Sequence, residues 1–389
     1  MHKILLLSLS LLVTASIVQA QTTITGIVFI DTNNNGTADG GEAGVPGVQV
    51  SDQATVVVTG NDGRYELKTL AGRSFVMISL PNGHKAPQGF WKRIETSTSI
   101  NFPLVKTTVP AEFSFIHASD THISDQSLPR MVKFRELAEK LKPDFVLITG
   151  DLVRDALRVP EEEARRYYEL YVENIGKFTM PTWSVPGNHE IFGIERHISL
   201  VSTKNPMYGR KIYAHYIGPD YYSFNYGGIH FIGLNDVDFE DTWYFGRVDS
   251  LQMSWLKQDL ASVPAKTPVV TFKHIPDFSG GLSLTPFEES GAGRTVERED
   301  GVLQYRHVVS NAHELTNLLQ THPYPLSLSG HFHARQIFRY ESTGQNTRFE
   351  QTAAVVGDGG EADVVMKSGV TLYKVKNGLI DDGKFIPLN

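Results

Sequence analysis

Two periodicities divide the chain. From Thr22 to residue 104, apolar and β-branched residues come in short runs, Ile24 to Ile30, Val48 to Val50, Tyr65 with Leu67, and Phe75 to Leu80, separated by turns rich in Gly, Asn, Asp and Pro. Short runs between turn residues, with no helical repeat, predict a small all-β sandwich over residues 22–104. Past a linker at residues 105–112 the spacing changes. Phe134, Leu137, Ala138 and Leu141 recur at i, i+3, i+4 and i+7, as do Ala164, Tyr167, Tyr168 and Tyr171, with similar stripes at Met253, Leu256 and Leu260 and at Ala312, Leu315 and Leu319. Each stripe precedes a strand-like run such as Phe145 to Ile148 or Val269 to Phe272. Helices alternating with strands predict an α/β domain over residues 113–389, whose ligands bind beyond the strand ends. Asp249 with Gln252 and Asn311 with Glu314 predict capping boxes for the last two helices. Tyr222 to Tyr226, Gly227-Gly228 and Ile229 to Leu234 predict an antiparallel hairpin.

The first residues change the picture of where the protein works. Lys3, the apolar stretch Ile4 to Val18 and the small residues around Ala20 read as a secretory signal peptide over residues 1–20. The stretch is short of the roughly 20 residues a membrane span needs. The expectation is an exported chain, periplasmic or secreted, with no transmembrane segment once mature; a retained anchor is the alternative. The sequence of 389 residues has no Cys, which excludes a lipoprotein anchor cysteine and structural disulfides. Its formal charge of −7 argues against a nucleic-acid polymer as partner. Lys204, Arg210 and Lys211, and Arg294, Arg298 and Arg306, are candidates for a local basic pocket, against the plainer reading of solvated surface.

Chemistry enters where the apolar runs stop. Asp120-Thr121-His122, Gly150-Asp151, Gly187-Asn188-His189-Glu190, His274 and Gly330-His331-Phe332-His333 each follow a strand-like run. Carboxylate, imidazole and side-chain amide together suit borderline divalent cations, and two such ions can hold a phosphoryl oxygen and activate a water. In this order the set resembles the calcineurin-like metallophosphoesterase family. The resemblance implies a four-layer αββα sandwich and a metal-dependent phosphoric ester hydrolase. It implies that Asp120, His122 and His333 complete one metal site and Asn188, His274 and His331 the other. Asp151 is the expected bridge, because a carboxylate has two oxygens where a neutral imidazole offers one lone pair. The ions are Mn, Fe or Zn. The His-x-His spacing is expected to leave the sheet extended, so that both rings face one side. Gly330 is expected to avoid crowding.

In the family the histidine matching His189 faces the substrate phosphate and protonates the leaving oxygen, and Glu190 is a candidate to orient it. His117, His197, His215, His230 and His307 read as structural or surface residues, and Asp125 and Asp155 match no ligand position. Purple acid phosphatases, a branch of the family, carry a tyrosine ligand three residues after the bridging Asp. Arg154 stands there, which argues against that branch.

Asp31, Asn33, Asn35, Thr37, Asp39 and Glu42 fit a calcium-loop pattern, with Thr37 contributing a carbonyl. No EF-hand helices flank the loop. With the following Gly-Val-Pro-Gly-Val turn it resembles the calcium-binding B-type repeats of bacterial surface proteins; a plain turn is the alternative. The functional expectation is an exported dinuclear phosphoesterase acting on phosphate mono- or diesters. Attack comes from a metal-bridging hydroxide, with His189 as general acid and Asn188 beside it as a ligand at the reacting centre. A non-catalytic surface binding protein with the same fold is the alternative. A surface or carbohydrate partner is conceivable for the β-domain. Two long segments, Ile191 to Tyr221 and Asp277 to Arg306, are expected to shape a pocket for a small phosphoester.

Overall fold

The computed structural model describes residues 21–95, 97–280, 297–299, 302–342, 344–361 and 364–389. The expected signal peptide lies outside the described residues. Among those described, no helix is long and apolar enough to cross a membrane.

The N-terminal part is all β. One four-stranded sheet runs Arg64–Leu70, Gln21–Ile30, Phe102–Lys106, His84–Lys85, and a second runs Val56–Val58, Gln49–Ser51, Phe75–Ile78, Trp91–Arg93. Alternate residues point to one face of a strand, so Ile24, Val28, Leu67, Val50, Val76, Ile78 and Phe102 meet between the sheets as a single buried cluster.

The rest is a layered α/β structure. One six-stranded sheet is ordered Thr182–Val185, Phe145–Thr149, Glu112–Ala118, Gly369–Lys376, Leu379–Ile380, with Lys384–Pro387 also pairing to Gly369–Lys376. The other runs Tyr222–Tyr226, Ile229–Gly233, Val269–Phe272, Leu326–Ser329, Gln345–Gln351, Gln336–Ser342. The strand Phe145–Thr149 shows why the apolar run is continuous. Phe145 and Leu147 enter the core between the two sheets, while Val146 and Ile148 face the helices Leu128–Leu141 and Glu161–Ile175. Ser250–Ala261 and Ala312–Leu319 cover the second sheet through Trp255, Leu256, Leu315 and Leu319. The αββα order expected from the sequence is the order observed. The hairpin forms as Tyr222–Tyr226 with Ile229–Gly233.

The capping expectation holds in part. Asp249 accepts the Gln252 amide at 2.9 Å, but the Gln252 side chain turns to Asn235, and Asn311 pairs with the Val248 backbone instead of capping its helix.

The sandwich packs directly on the second layer. Leu80 forms a β-bridge with Phe224, the Trp255 indole donates to Ser51 Oγ at 3.0 Å, Gln49 Nε2 donates to the Asp259 carbonyl at 2.6 Å, and Ser223 Oγ donates to Ser79 Oγ at 2.9 Å. These groups are buried, so each bond contributes on the order of 0.5–1.5 kcal/mol net to holding the two layers together.

Candidate metal centre

The strands Glu112–Ala118, Phe145–Thr149 and Thr182–Val185 run parallel, as do Val269–Phe272 and Leu326–Ser329, so their carboxyl ends gather the motifs on common edges. The chain then bends sharply. Asp120, His122, Asp151, His331 and His333 all have positive φ, between 38° and 76°. Non-glycine residues pay on the order of 1–2 kcal/mol for this conformation, a cost that here turns ligand side chains inward. The His-x-His segment is therefore not extended as expected from spacing. His331 (φ 76°) and His333 (φ 54°) are both left-handed, and that bend, not strand alternation, aims the rings. Gly330 does relieve crowding, since a Cβ there would lie 1.8 Å from Ser119 Oγ and 2.6 Å from Asp120 Oδ2.

Among the described residues, only two clusters of three or more His, Asp or Glu groups have ligand atoms within 4.8 Å of one another, and Asp151 belongs to both. In the first, His333 Nε2 is 3.3 Å from Asp120 Oδ1 and 3.1 Å from His122 Nε2, which lies 3.6 Å from Asp151 Oδ2. In the second, His274 Nε2 is 3.3 Å from Asp151 Oδ1, 3.1 Å from Asn188 Oδ1 and 3.0 Å from His331 Nδ1. Each Asp151 oxygen thus faces one cluster. Asp120 Oδ1 is buried and takes no hydrogen bond, and ring nitrogens of different histidines point at each other. Converging carboxylates and imidazoles with so few donors between them fit divalent cations.

The electrostatics agree. Burial would raise the Asp151 carboxyl, but His274 and His189 outweigh it and hold it well below the usual range. Burial lowers His274 and the Asp151 and Asp120 carboxylates raise it, to about 10 on balance. His331 goes the other way, pushed well below the ordinary imidazole value by burial and by His274.

His189 lies at the rim, its ring edge-on to His122 with centroids 4.6 Å apart. Its Nδ1 donates to the Arg154 carbonyl at 2.6 Å, which leaves Nε2 facing the ring, 3.9 Å from Asp151 Oδ2. Its backbone amide donates to Asp151 Oδ1 at 3.0 Å. Glu190 does not orient the His189 ring. It is buried, accepts the amides of Leu152 and Val153 on one oxygen and of Gly187 on the other, and so ties the Asp151 turn to the Asn188 turn. Burial and the Asp151 carboxylate raise its carboxyl to about 8.

Other expectations sort cleanly. His117 and His230 are buried structural residues, on Thr149 Oγ1 and Asp259, and His197 and His215 are exposed. Asp125 pairs with Arg166 and Asp155 with Arg158. Arg210 is paired to Asp238 and Asp249, which removes it from the expected basic pocket; Arg294 lies outside the described residues. Residues 281–296 of the second long segment also lie outside them. In the first, Phe192, Tyr213 and Tyr221 are buried, so its aromatics build core. His307 stays outside the ligand clusters, in keeping with its structural reading, but touches one of their members: its Nδ1 is 2.7 Å from His331 Nε2. No local motif marks it.

The Asp/Asn loop is closed on itself. Asp31 accepts the amides of Asn35 and Gly36, Glu42 accepts those of Thr32 and Asp39, and the side chains of Asn33 and Asn35 both donate to Asp39 Oδ2. The Thr37 amide donates to Asn35 Oδ1.

Two packed mixed sheets thus carry a ring of groups suited to metal ions at their strand ends. Residues 113–335 match the profile of the calcineurin-like phosphoesterases and residues 32–115 that of the N-terminal domain found with them. The chain belongs to the calcineurin-like phosphoesterase family. It is 30% identical over 190 residues to purple acid phosphatase 23 of Arabidopsis thaliana, an alignment covering 42% of this chain and 39% of that protein. The chain thus spans well under half the length of that relative. Among solved structures it is similar to a dimetal phosphatase from Danio rerio (14% identity, TM-score 0.47, 71% of this chain and 99% of that one). It is also similar to GAP50, the anchor in the inner membrane complex of Plasmodium (14% identity, TM-score 0.42, 72% and 85%).

Proposed function

We propose that the protein is an exported phosphoesterase that hydrolyses small phosphate mono- or diesters at a dinuclear centre. The observation that carries this reading is the sharing of Asp151 by two converging ligand clusters beside the buried Asp120 carboxylate. Asp120, His122 and His333 would hold one cation and Asn188, His274 and His331 the other, with Asp151 available to both. Cations bound there would supply charge to polarise a phosphoryl oxygen and lower the pKa of an attacking water.

The chain's own residues do the rest. The His189 Nδ1–H donates to the Arg154 carbonyl, so Nε2 is the nitrogen that meets substrate; as the imidazolium it would donate to a phosphate oxygen and pass its Nε2 proton to the leaving oxygen, which leaves a neutral ring. The Asn188 amide oxygen would help to fix the second cation, and the His189 amide donates to Asp151 Oδ1 and so holds that carboxylate between the two clusters. Glu190 keeps the two turns together.

The functional units are a signal peptide over 1–20, the sandwich over 22–104, a connector at 105–112 and the phosphoesterase domain over 113–389. In the sandwich, Asp31, Asn33, Asn35, Thr37, Asp39 and Glu42 take up Ca²⁺ by exchanging their mutual hydrogen bonds for coordination. The test is a panel of nucleotides, sugar phosphates, lipid headgroup phosphates and phosphopeptides given to the manganese-loaded chain. Turnover of small esters, lost on chelation and restored by metal, is expected. Phosphopeptides turning over far faster than every small ester, or full activity after confirmed metal removal, would refute the reading.

A further inference from the structure

His307 touches the ring yet stands outside the ligand set. Its Nδ1 is 2.7 Å from His331 Nε2, with the two ring planes 31° apart and centroids at 4.9 Å. The opposite nitrogen, His331 Nδ1, faces His274 Nε2 and the second cluster. A neutral imidazole carries one hydrogen, so a lone pair presented at Nδ1 leaves the proton on Nε2, where it needs an acceptor. His274 solves the same problem with a backbone carbonyl, its Nδ1 donating to Thr149 O at 2.7 Å. His331 has a side chain in that role.

The chain holds His307 in place. The Gly246 amide donates to the Tyr305 carbonyl at 2.6 Å, and Gly246 forms a β-bridge with Val309, whose amide donates to the Pro276 carbonyl at 3.0 Å. The Phe332 ring flanks His307 with centroids 5.8 Å apart.

We propose that His307 is a positioning residue that fixes the tautomer and orientation of His331, and thereby sets the affinity of the second cation site without touching the ion. The proposal rests on the dinuclear reading above, but its test reads metal binding and not turnover. A chain inactive on every ester could still bear it out.

Outer partners of metal-ligating histidines typically contribute about 10–100-fold in metal affinity. The full chain and its His307→Phe and His307→Asn variants are titrated with Mn²⁺ against a chromophoric chelator. Electron paramagnetic resonance follows the change from a coupled pair to a single ion. In His307→Phe the weaker-binding equivalent is expected to lose roughly 10–100-fold in affinity while the other is unchanged, so that the coupled signal gives way to a mononuclear one. His307→Asn, which returns an acceptor oxygen near the position of Nδ1, is expected to recover most of the loss. The proposal is overturned if both equivalents bind His307→Phe as they bind the parent. It is equally overturned if both weaken together with no recovery in His307→Asn, or if metal binding is intact while only substrate affinity falls.

Discussion

The chain carries two clusters of acidic and amide side chains, one of oxygen ligands alone and one rich in histidine, and they differ in what they ask of a cation. In the loop from Asp31 to Glu42 nearly every acceptor meets a donor of the loop itself, with Asp31 and Glu42 on backbone amides and Asp39 on two asparagine amides. Around Asp151 the side chains converge on one another: Asp120 Oδ1 has His333 Nε2 beside it, at 3.3 Å, and imidazole nitrogens face imidazole nitrogens at 3.0–3.1 Å. A cation entering the first loop replaces hydrogen bonds of comparable strength, so its net gain is small. A cation entering the ring takes the place of the proton held at His274 and gives the buried carboxylates and imidazole lone pairs a shared positive partner, so its gain is large. Composition suits the two clusters to different cations, and the pattern of donors sets how much each gains from one.

The comparison can be broken at its strongest point first. Asp151→Asn removes the charge and one of the two oxygens with which Asp151 faces both clusters, and kcat/KM should fall by more than the roughly 10²–10³-fold cost of losing a single electrostatic stabiliser. A smaller loss, with metal content intact, would mean that Asp151 does not span the ions. Next comes His189→Ala. Alkyl phosphates, whose leaving oxygen needs a proton, should slow by about 10²–10⁴-fold and nitrophenyl phosphates much less. Equal losses on both ester types would reduce His189 to phosphate binding.

Proton counting sharpens the contrast at smaller scale. Burial opposes protonation of His274, but Asp151 and Asp120 raise it to about 10, so it holds its proton at neutral pH. A ligating imidazole must be neutral. Metal uptake at pH 7 should therefore release on the order of one proton per chain, read by calorimetry in buffers of different ionisation enthalpy, and affinity should fall as pH falls. Release of none would remove His274 from the ligand set. The smallest effect belongs to the other loop. Calcium at ten times its dissociation constant should stabilise the folded state by about 1.4 kcal/mol. Glu42→Gln should abolish most of the accompanying rise in melting temperature. An unchanged melting temperature in millimolar calcium would leave the loop a self-contained turn.

What the sequence makes legible follows from how local each feature is. The layered α/β order and the positions at which Asp120, Asp151, Asn188, His274, His331 and His333 fall depend on strand ends and residue type, both readable along the chain. The route by which the rings converge depends on backbone torsion, and spacing alone implied an extended His331 to His333 where the chain is left-handed. Glu190 sits beside His189 in sequence, yet its partners are amides on the turn after Asp151, contacts set only when the parallel strands pair. His307 reaches His331 through tertiary packing. Phe192, Tyr213 and Tyr221 look like a pocket lining by composition and are core by burial, because an aromatic serves either role and only the packing decides.

The central claim is that Asp151 joins two cation sites into one. Metal analysis of the manganese-loaded chain, freed of unbound ion and compared with Asp151→Asn, tests it most directly. The account predicts about two ions per parent chain and less than one in the variant, with both sites weakened together. A parent chain that binds a single ion at saturation, or a variant that still holds two, would contradict it.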